Sequence, residues 1–376
     1  MILLAFSLLL PIVNAEGDSL NLSSESAILM DSESGKILYE KNREEKLPMA
    51  SMTKIMSMLL IMESIENGTL SYDDKVLISE NASGMGGSQV FLQAGEEYTV
   101  NDLLKCIAVS SANDAVVAMA EKISGSVDAF VELMNTRAKE LGLKNTNFAN
   151  PHGLDNENHY STAYDMALMA KELLKHEDIL KYTSIYEDYL TKPDGSQIWL
   201  VNTNRLVRFY DGVDGLKTGY TTEAGYCLTA TAKKNDLRLI SVVMKSPSAE
   251  DRSSDTSTLL SYGFNSFKSN VIYSKDKSLG KVSVEKGKIK EVDVYLKEDA
   301  TEILNVTEKP SDYTFNIKVD KITAPVKSGT IVGTAEIINN EGNIINEVEV
   351  VVKENIEKAG FFDYLKQSLK FITSGI

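Results

Sequence analysis

The sequence predicts an α+β chain with a separate all-β region behind it, and three observations carry that reading. Strand-like runs come first, a block of helical runs follows, and strand-like runs return between Val213 and Met244. That order suits an antiparallel sheet whose first and last strands pair while helices cover its faces. Near Lys275 the texture changes to short Val/Ile alternations broken by Gly, Asp and Asn turns, as in Val282-Ser283-Val284, Val292-Asp293-Val294, Phe315-Asn316-Ile317 and Val348-Glu349-Val350. Such spacing marks a small β domain. The final stretch places Phe361, Leu365, Leu369, Ile372 and Ile376 at intervals of three and four, the pattern of an amphipathic helix. The divisions this predicts are 1–15, 24–272, 275–354 and 357–376.

Taken in order, Met1 to Ala15 is apolar and closes on Val13-Asn14-Ala15, which reads as an export signal too short to span a bilayer. It lacks the usual positive residues at its start. Ala27-Ile28-Leu29-Met30 and Lys36-Ile37-Leu38-Tyr39 flank Asp31-Ser32-Glu33-Ser34-Gly35 as a hairpin. From Met52 to Ile65 nearly every residue is Met, Ile or Leu, with Asn67-Gly68 as the stop. A helix apolar on almost every side is a buried central helix. Asn81 to Ser88 is a Gly/Ser loop. Thr99-x-x-Asp102 caps a helix that Ser111-Ala112-Asn113 interrupts, and a second helical run covers Ala115 to Ile123. Further helices run from Ser126 to Gly142 and from Thr162-x-x-Asp165 through Leu173. Strands are expected at Leu216–Thr218, Tyr226–Ala230 and Leu239–Val243.

Composition excludes several classes of function. A net charge of −15 leaves no basic stripe for nucleic acid. Two cysteines, Cys106 and Cys227, each in an apolar run, read as buried thiols and do not make a disulfide framework. The three histidines, His152, His159 and His176, show no metal-ligand spacing, so no metal or other cofactor is expected. The terminal helix is too polar to span a membrane; it suits a membrane surface or, alternatively, packing on its own β domain.

The chemistry concentrates in three short motifs. Ser51 opens the central helix and Lys54 follows three residues on, over the same face. Unpaired N–H groups and the helix dipole favour negative charge developing near such a serine. A lysine in an apolar wall loses its proton easily and suits the role of base. The tetrapeptide alone also fits a plain capping serine with a solvent-reaching lysine. Ser-x-x-Lys recurs at Ser274/Lys277, Ser278/Lys281 and Ser283/Lys286, but in polar, turn-like sequence. The second motif is Ser111-Ala112-Asn113, at an inter-helix turn. The third is Lys217-Thr218-Gly219, on a strand edge where Gly219 leaves room for a ligand's backbone. Decoys exist for these motifs too, at Ser19/Asn21, Ser79/Asn81 and Lys327-Ser328-Gly329. His152 with Asp155 reads as a loop-stabilising pair, not part of a triad.

Those motifs, set in Pro48-Met49-Ala50-Ser51-Met52-Thr53-Lys54, Ser111-Ala112-Asn113-Asp114-Ala115, Asn150-Pro151-His152-Gly153-Leu154-Asp155 and Asp214-Gly215-Leu216-Lys217-Thr218-Gly219-Tyr220-Thr221, resemble the D-alanyl-D-alanine carboxypeptidases, the low-molecular-mass penicillin-binding proteins. The resemblance covers essentially the whole chain. It implies a β-lactamase/DD-peptidase-like catalytic domain, a small β domain and a membrane-associating helix, on the extracellular face of the bacterial cytoplasmic membrane. Peptidoglycan stem peptides ending in D-Ala-D-Ala would be the substrate and β-lactams the covalent inhibitors. The roles implied are Ser51 as nucleophile, Lys54 as its base and Ser111 as proton relay to the leaving amine. Asn113 would hold the substrate's peptide, Lys217 would lend positive charge, and Thr218 and Arg252 would receive the terminal carboxylate. The backbone N–H groups of Ser51 and Tyr220 would form the oxyanion hole.

Three departures qualify the likeness. Ala112 stands where relatives often have Gly or Asp, and Tyr220 where some carry His. Glu187-Asp188-Tyr189-Leu190 ends in Thr191, not the Asn of the class A β-lactamase deacylation motif. A β-lactamase is disfavoured by that missing base, and a non-catalytic penicillin-binding or wall-binding protein by the intact serines and lysines.

Overall fold

The computed structural model describes residues 20–310 and 312–363. The segment Met1–Ala15 and the terminal helix beyond Asp363 lie outside them. A five-stranded antiparallel sheet runs in the spatial order Ile37–Lys41, Ser26–Asp31, Leu237–Ser246, Gly225–Lys234, Val213–Thr221. The opening hairpin therefore pairs with the last strand of the group, Ala27 opposite Val243 and Leu29 opposite Ser241. Strand alternation gives the sheet two apolar faces. Ile28, Met30, Ile240, Val242 and Met244 belong to the large core on the helical side. Ala27, Leu29, Leu239 and Val243 belong to the smaller core under helix Ala249–Ser266.

The central helix is Lys54–Glu66, entered through a 3₁₀ turn at Ala50–Thr53. Its wall of Ile55, Met56, Met58, Leu59, Ile61 and Met62 is buried, as a helix with little amphipathic bias must be. Ser51 consequently lies in the tight turn one step before the α-helix, and its side chain caps nothing. Helix Val100–Ser110 begins where Thr99 Oγ1 accepts the Asp102 N–H at 3.0 Å. It ends at Ser111, which adopts a left-handed φ of 61°. Helix Asn113–Ser124 starts two residues later, so Ser111 and Asn113 bracket a sharp corner. The serine-capped helix Val127–Glu140 and the Thr162-capped helix Ala163–Leu174 complete the layer.

From Phe267 onward the described chain is built from β-strands and turns up to a terminal helical turn at Phe361–Asp363. A six-stranded sheet encloses its own core of Val292, Val294, Leu296, Ala335, Ile337, Val348 and Val350. Strand Phe267–Tyr273 pairs with Ala300–Asn305. All of it but Tyr273 falls in the stretch 24–272 that the sequence assigns to the first domain. The texture near Lys275 marks a turn inside the β region, because the first β ladder starts directly at the end of helix Ala249–Ser266. Both thiols, Cys106 and Cys227, are free and buried. Among the described residues no helix is long and apolar enough to cross a membrane.

Candidate active site

The site forms where the 3₁₀ turn, the Ser111 corner and the edge strand Val213–Thr221 meet. Lys54 is fully buried, and its Nζ lies 3.0 Å from Ser51 Oγ, 2.7 Å from Asn113 Oδ1 and 2.8 Å from His152 O. Two of these partners can only accept. A neutral amine carries two hydrogens and one lone pair, so giving the hydrogens to Asn113 Oδ1 and His152 O turns the lone pair toward the Ser51 hydroxyl. The neutral state is favoured as well. Burial, reinforced by the Lys217 cation, holds the Lys54 amine well below the ordinary lysine range, and Asp114 offsets this only in part.

Lys217 is buried beside it, with burial and the Arg252 guanidinium lowering its ammonium to about 7. Arg252 thus depresses Lys217, and Lys217 in turn depresses Lys54, each adding to the effect of burial. A bound anion would relieve that repulsion. Arg252 stands in the first turn of helix Ala249–Ser266, 9% exposed, and its Nε has no hydrogen-bond partner among the described residues. Ser111 Oγ is buried and equally unpartnered. Buried polar groups without partners are groups a ligand can satisfy.

Glycines allow the close approach of backbone that this geometry needs. A Cβ on Gly219 would fall 2.7 Å from Met49 O and 3.2 Å from Met52 N, so the edge strand can lie against the Ser51 turn only as glycine. Gly153, at φ +94°, would place a Cβ 1.9 Å from Ala50 O. The loop over Asn113 is tied down by Asn113 Nδ2 donating to Gly86 O at 2.7 Å and Asn113 N–H donating to Ser88 O at 2.7 Å. Asp114, buried, accepts the N–H groups of Val90 and Leu92.

The structure thus brings Ser51, Lys54 and Asn113 into direct contact and sets Lys217, Thr218 and Gly219 along the adjoining edge. Thr218 Oγ1 leans to Thr203 Oγ1 at 2.7 Å, across the edge, while Lys217 turns inward. Tyr220 is 55% exposed, its ring 4.4 Å from that of Tyr226. His152 and Asp155 hold loops: His152 Nδ1 accepts the Leu154 N–H, and Asp155 accepts the Thr221 hydroxyl at 2.6 Å. Strand Glu187–Thr191 presents no base to Ser51, and Asp188 pairs with Lys105 at 2.9 Å. Sequence reasoning missed Asp114, Thr203 and His159. Asp114 was visible beside Asn113 without a role, whereas Thr203 carries no local signal at all. The arrangement can activate a serine for attack on a carbonyl next to a carboxylate. Among the described residues no cluster of His, Cys, Asp and Glu could hold a metal ion.

Comparison with known proteins agrees with the geometry. A family model described as D-alanyl-D-alanine carboxypeptidase matches residues 13–248, and one described as the C-terminal domain of penicillin-binding protein 5 matches 267–358. The chain is 49% identical to D-alanyl-D-alanine carboxypeptidase DacF of Bacillus subtilis over 92% of its length and 89% of the relative's. It superposes on penicillin-binding protein 5 from Haemophilus influenzae with a TM-score of 0.70 at 32% identity, covering 90% of this chain and 98% of that one. Penicillin-binding protein D2 from Listeria monocytogenes, solved with ampicillin bound, gives 0.59 at 34% identity, over 65% of this chain and 99% of that one.

An amine of this kind works as a base only when deprotonated, so serine acylation should rise with pH along a limb set by Lys54. Its midpoint should fall well below the ~10.4 of a free lysine. Lys217→Ala removes a cation that lowers Lys54, so the limb should move to higher pH, yet stay below the free value because burial is the larger cause. The check is the pH dependence of Ser51 acylation by a chromogenic ester in both proteins. A limb that does not move would mean that a different group takes the proton.

Proposed function

This chain belongs to the D-alanyl-D-alanine carboxypeptidase family and is a serine-type, penicillin-binding peptidase of that family; from that premise we propose how its own residues divide the reaction. Ser51 Oγ attacks the carbonyl of the penultimate D-alanine in a peptidoglycan stem peptide. Its proton passes to the Lys54 lone pair. The N–H groups of Ser51 and Tyr220 receive the developing oxyanion, the preorganised electrostatic part of the barrier lowering. Ser111 relays the proton held by Lys54 to the amine of the departing D-alanine as its C–N bond breaks, and Asn113 holds the substrate's peptide while Gly219 leaves room for its backbone. Lys217, Thr218 and Arg252 receive the terminal carboxylate. Water then hydrolyses the acyl-enzyme. The observation that carries this reading is the amine fixed between Ser51, Asn113 and His152 O.

A β-lactam meets the same nucleophile, and its opened ring stays tethered. Glu187-Asp188-Tyr189-Leu190 ends in Thr191 and lacks the Asn of the class A β-lactamase deacylation motif, so release should be slow. Labelled penicillin should therefore give a lasting adduct that peptide mapping places on Ser51, and the protein should release free D-alanine from a stem pentapeptide. Label found on Ser274, Ser278 or Ser283, or an adduct lost as fast as it forms, would contradict this division of roles.

The carboxylate assignment makes a second prediction. A peptide ending in free D-alanine presents a charge to Arg252, and the terminal amide does not. A charge-assisted contact is worth about 1.5–3 kcal/mol, so Arg252→Ala should lower kcat/KM on the acid roughly 10- to 150-fold and erode the preference for acid over amide by a similar factor. Steady-state kinetics on the matched pair decides it; an unchanged preference would leave the carboxylate to Lys217 and Thr218.

The cellular placement is likewise a proposal: export through Met1–Ala15, and peripheral attachment to the outer face of the cytoplasmic membrane through the terminal helix. What supports it is the apolar spacing from Phe361 to Ile376, with Lys366 and Lys370 between. Phe361 and Phe362 are themselves largely exposed. Each large apolar side chain contributes roughly 1.5–3 kcal/mol when fully inserted, and each lysine about 1 kcal/mol near anionic lipid. Deleting 361–376 should abolish sedimentation with vesicles while leaving turnover of a soluble peptide intact; a truncated protein that still sediments would place the anchor elsewhere.

A further inference from the structure

Among the buried titratable groups that this mechanism leaves idle is His159. It is 3% exposed, and both nitrogens of its ring are engaged. Its Nδ1 accepts the Ala149 N–H at 3.0 Å, so Nδ1 is the unprotonated nitrogen and Nε2 carries the hydrogen. Nε2 lies 2.6 Å from Thr53 Oγ1. That hydroxyl in turn donates to Ala50 O at 2.7 Å, so it accepts from the ring. The direction of each hydrogen bond is fixed by its neighbour, and the chain runs Ala149 to His159 to Thr53 to Ala50. Phe148 closes over the imidazole edge-on, at 6.0 Å between centroids.

The far end of this chain is what gives it consequence. Ala50 immediately precedes Ser51 and has a φ of +46°, a left-handed conformation that an alanine adopts at a cost. Its carbonyl is gripped by Thr53 from one side and faced by Gly153 from the other. The peptide joining Ala50 to Ser51 carries both that carbonyl and the Ser51 N–H. Fixing the carbonyl therefore fixes the direction of the N–H and the starting point of the Ser51 side chain.

We propose that His159, acting through Thr53, is a positioning residue for the nucleophile: it holds the Ala50–Ser51 peptide in the strained orientation that aims Ser51 at the acyl carbon. The role requires a neutral ring. Lys54 on the central helix and His152 on the adjoining loop are the titratable groups facing it, and burial, the largest cause, lowers His159 to about 4. Two more bonds tie the same loop to the helix, Lys54 Nζ to His152 O and Ser57 Oγ to Pro151 O. Among these attachments, His159 reaches the peptide before the nucleophile through Thr53.

This inference rests on Ser51 being the acylated residue, and its test separates the two. In stopped-flow acylation by a fluorescent penicillin, His159→Leu and Thr53→Val should each lower the acylation rate constant about 10²-fold, the scale of an ångström-sized misplacement. The dissociation constant of the initial non-covalent complex should stay within roughly threefold. His159→Gln, whose amide can still donate to Thr53, should recover most of the rate, as should Thr53→Ser. The double variant should be no slower than the worse single one, because both remove one chain. If the wild type is not labelled on Ser51, the active-site reading fails. Should the wild type be labelled while His159→Leu and Thr53→Val, shown folded by circular dichroism, acylate at the wild-type rate, the positioning role is overturned. Thr53→Val is nearly isosteric, and it decides the matter if His159→Leu does not fold. Equal loss in the Gln and Leu variants would likewise overturn the proposal, because packing alone would then explain the defect.

Discussion

An amine with no carboxylate among its hydrogen-bond partners, sealed inside an apolar core, is the constraint on which this structure depends. Removing the Lys54 ammonium from water costs far more than a neutral amine does, so the protein stabilises the neutral form and spends its local polar groups on orienting it. Asn113 Oδ1 and His152 O accept from it, and Ser51 is what remains for the lone pair. The apolar helix behind Lys54, which looks at first like a packing element, is therefore part of the chemistry. A more amphipathic helix would admit water and return the lysine to its ordinary charge.

The neighbouring strain follows from the same requirement. Bringing a turn, a helix corner and a strand edge within hydrogen-bond distance of one amine leaves little space between backbones. Ala50 and Ser111 take left-handed conformations, and Gly153 and Gly219 sit where any side chain would collide with the Met49–Ala50 backbone. Such features persist only when their surroundings over-determine them. Here the surroundings are Asp114 clamping the Val90–Leu92 loop, Thr203 on Thr218, and the His159–Thr53 chain on Ala50. The row of cations beyond the amine adds a second, opposing pressure. Arg252 and Lys217 repel each other, so an anion bound between them would be favoured.

Much of this was legible in the chain. The three motifs, the central helix, the inter-helix corner and the change to β texture all express local rules: unbroken apolar runs, capping threonines and alternation of period two. The resemblance to a known family was legible for the same reason, since its motifs are contiguous stretches. The small displacement of Ser51 into a 3₁₀ turn and the β ladder that begins at Phe267 were not visible, because both are set by what the segment packs against.

What the sequence determined by itself is the set of elements and the three short motifs that meet at the candidate site, for each depends on residues within one or two turns of one another. Only the tertiary structure decided how those groups behave. The suppression of the Lys54 charge arises from burial and from Lys217, 163 positions away in the chain. The direction of its lone pair is decided by Asn113 and His152, and the Thr53 hydroxyl that grips Ala50 O is met by His159, 106 residues away. Desolvation and hydrogen-bond direction are properties of a surrounding volume, and a chain defines that volume only once it has folded.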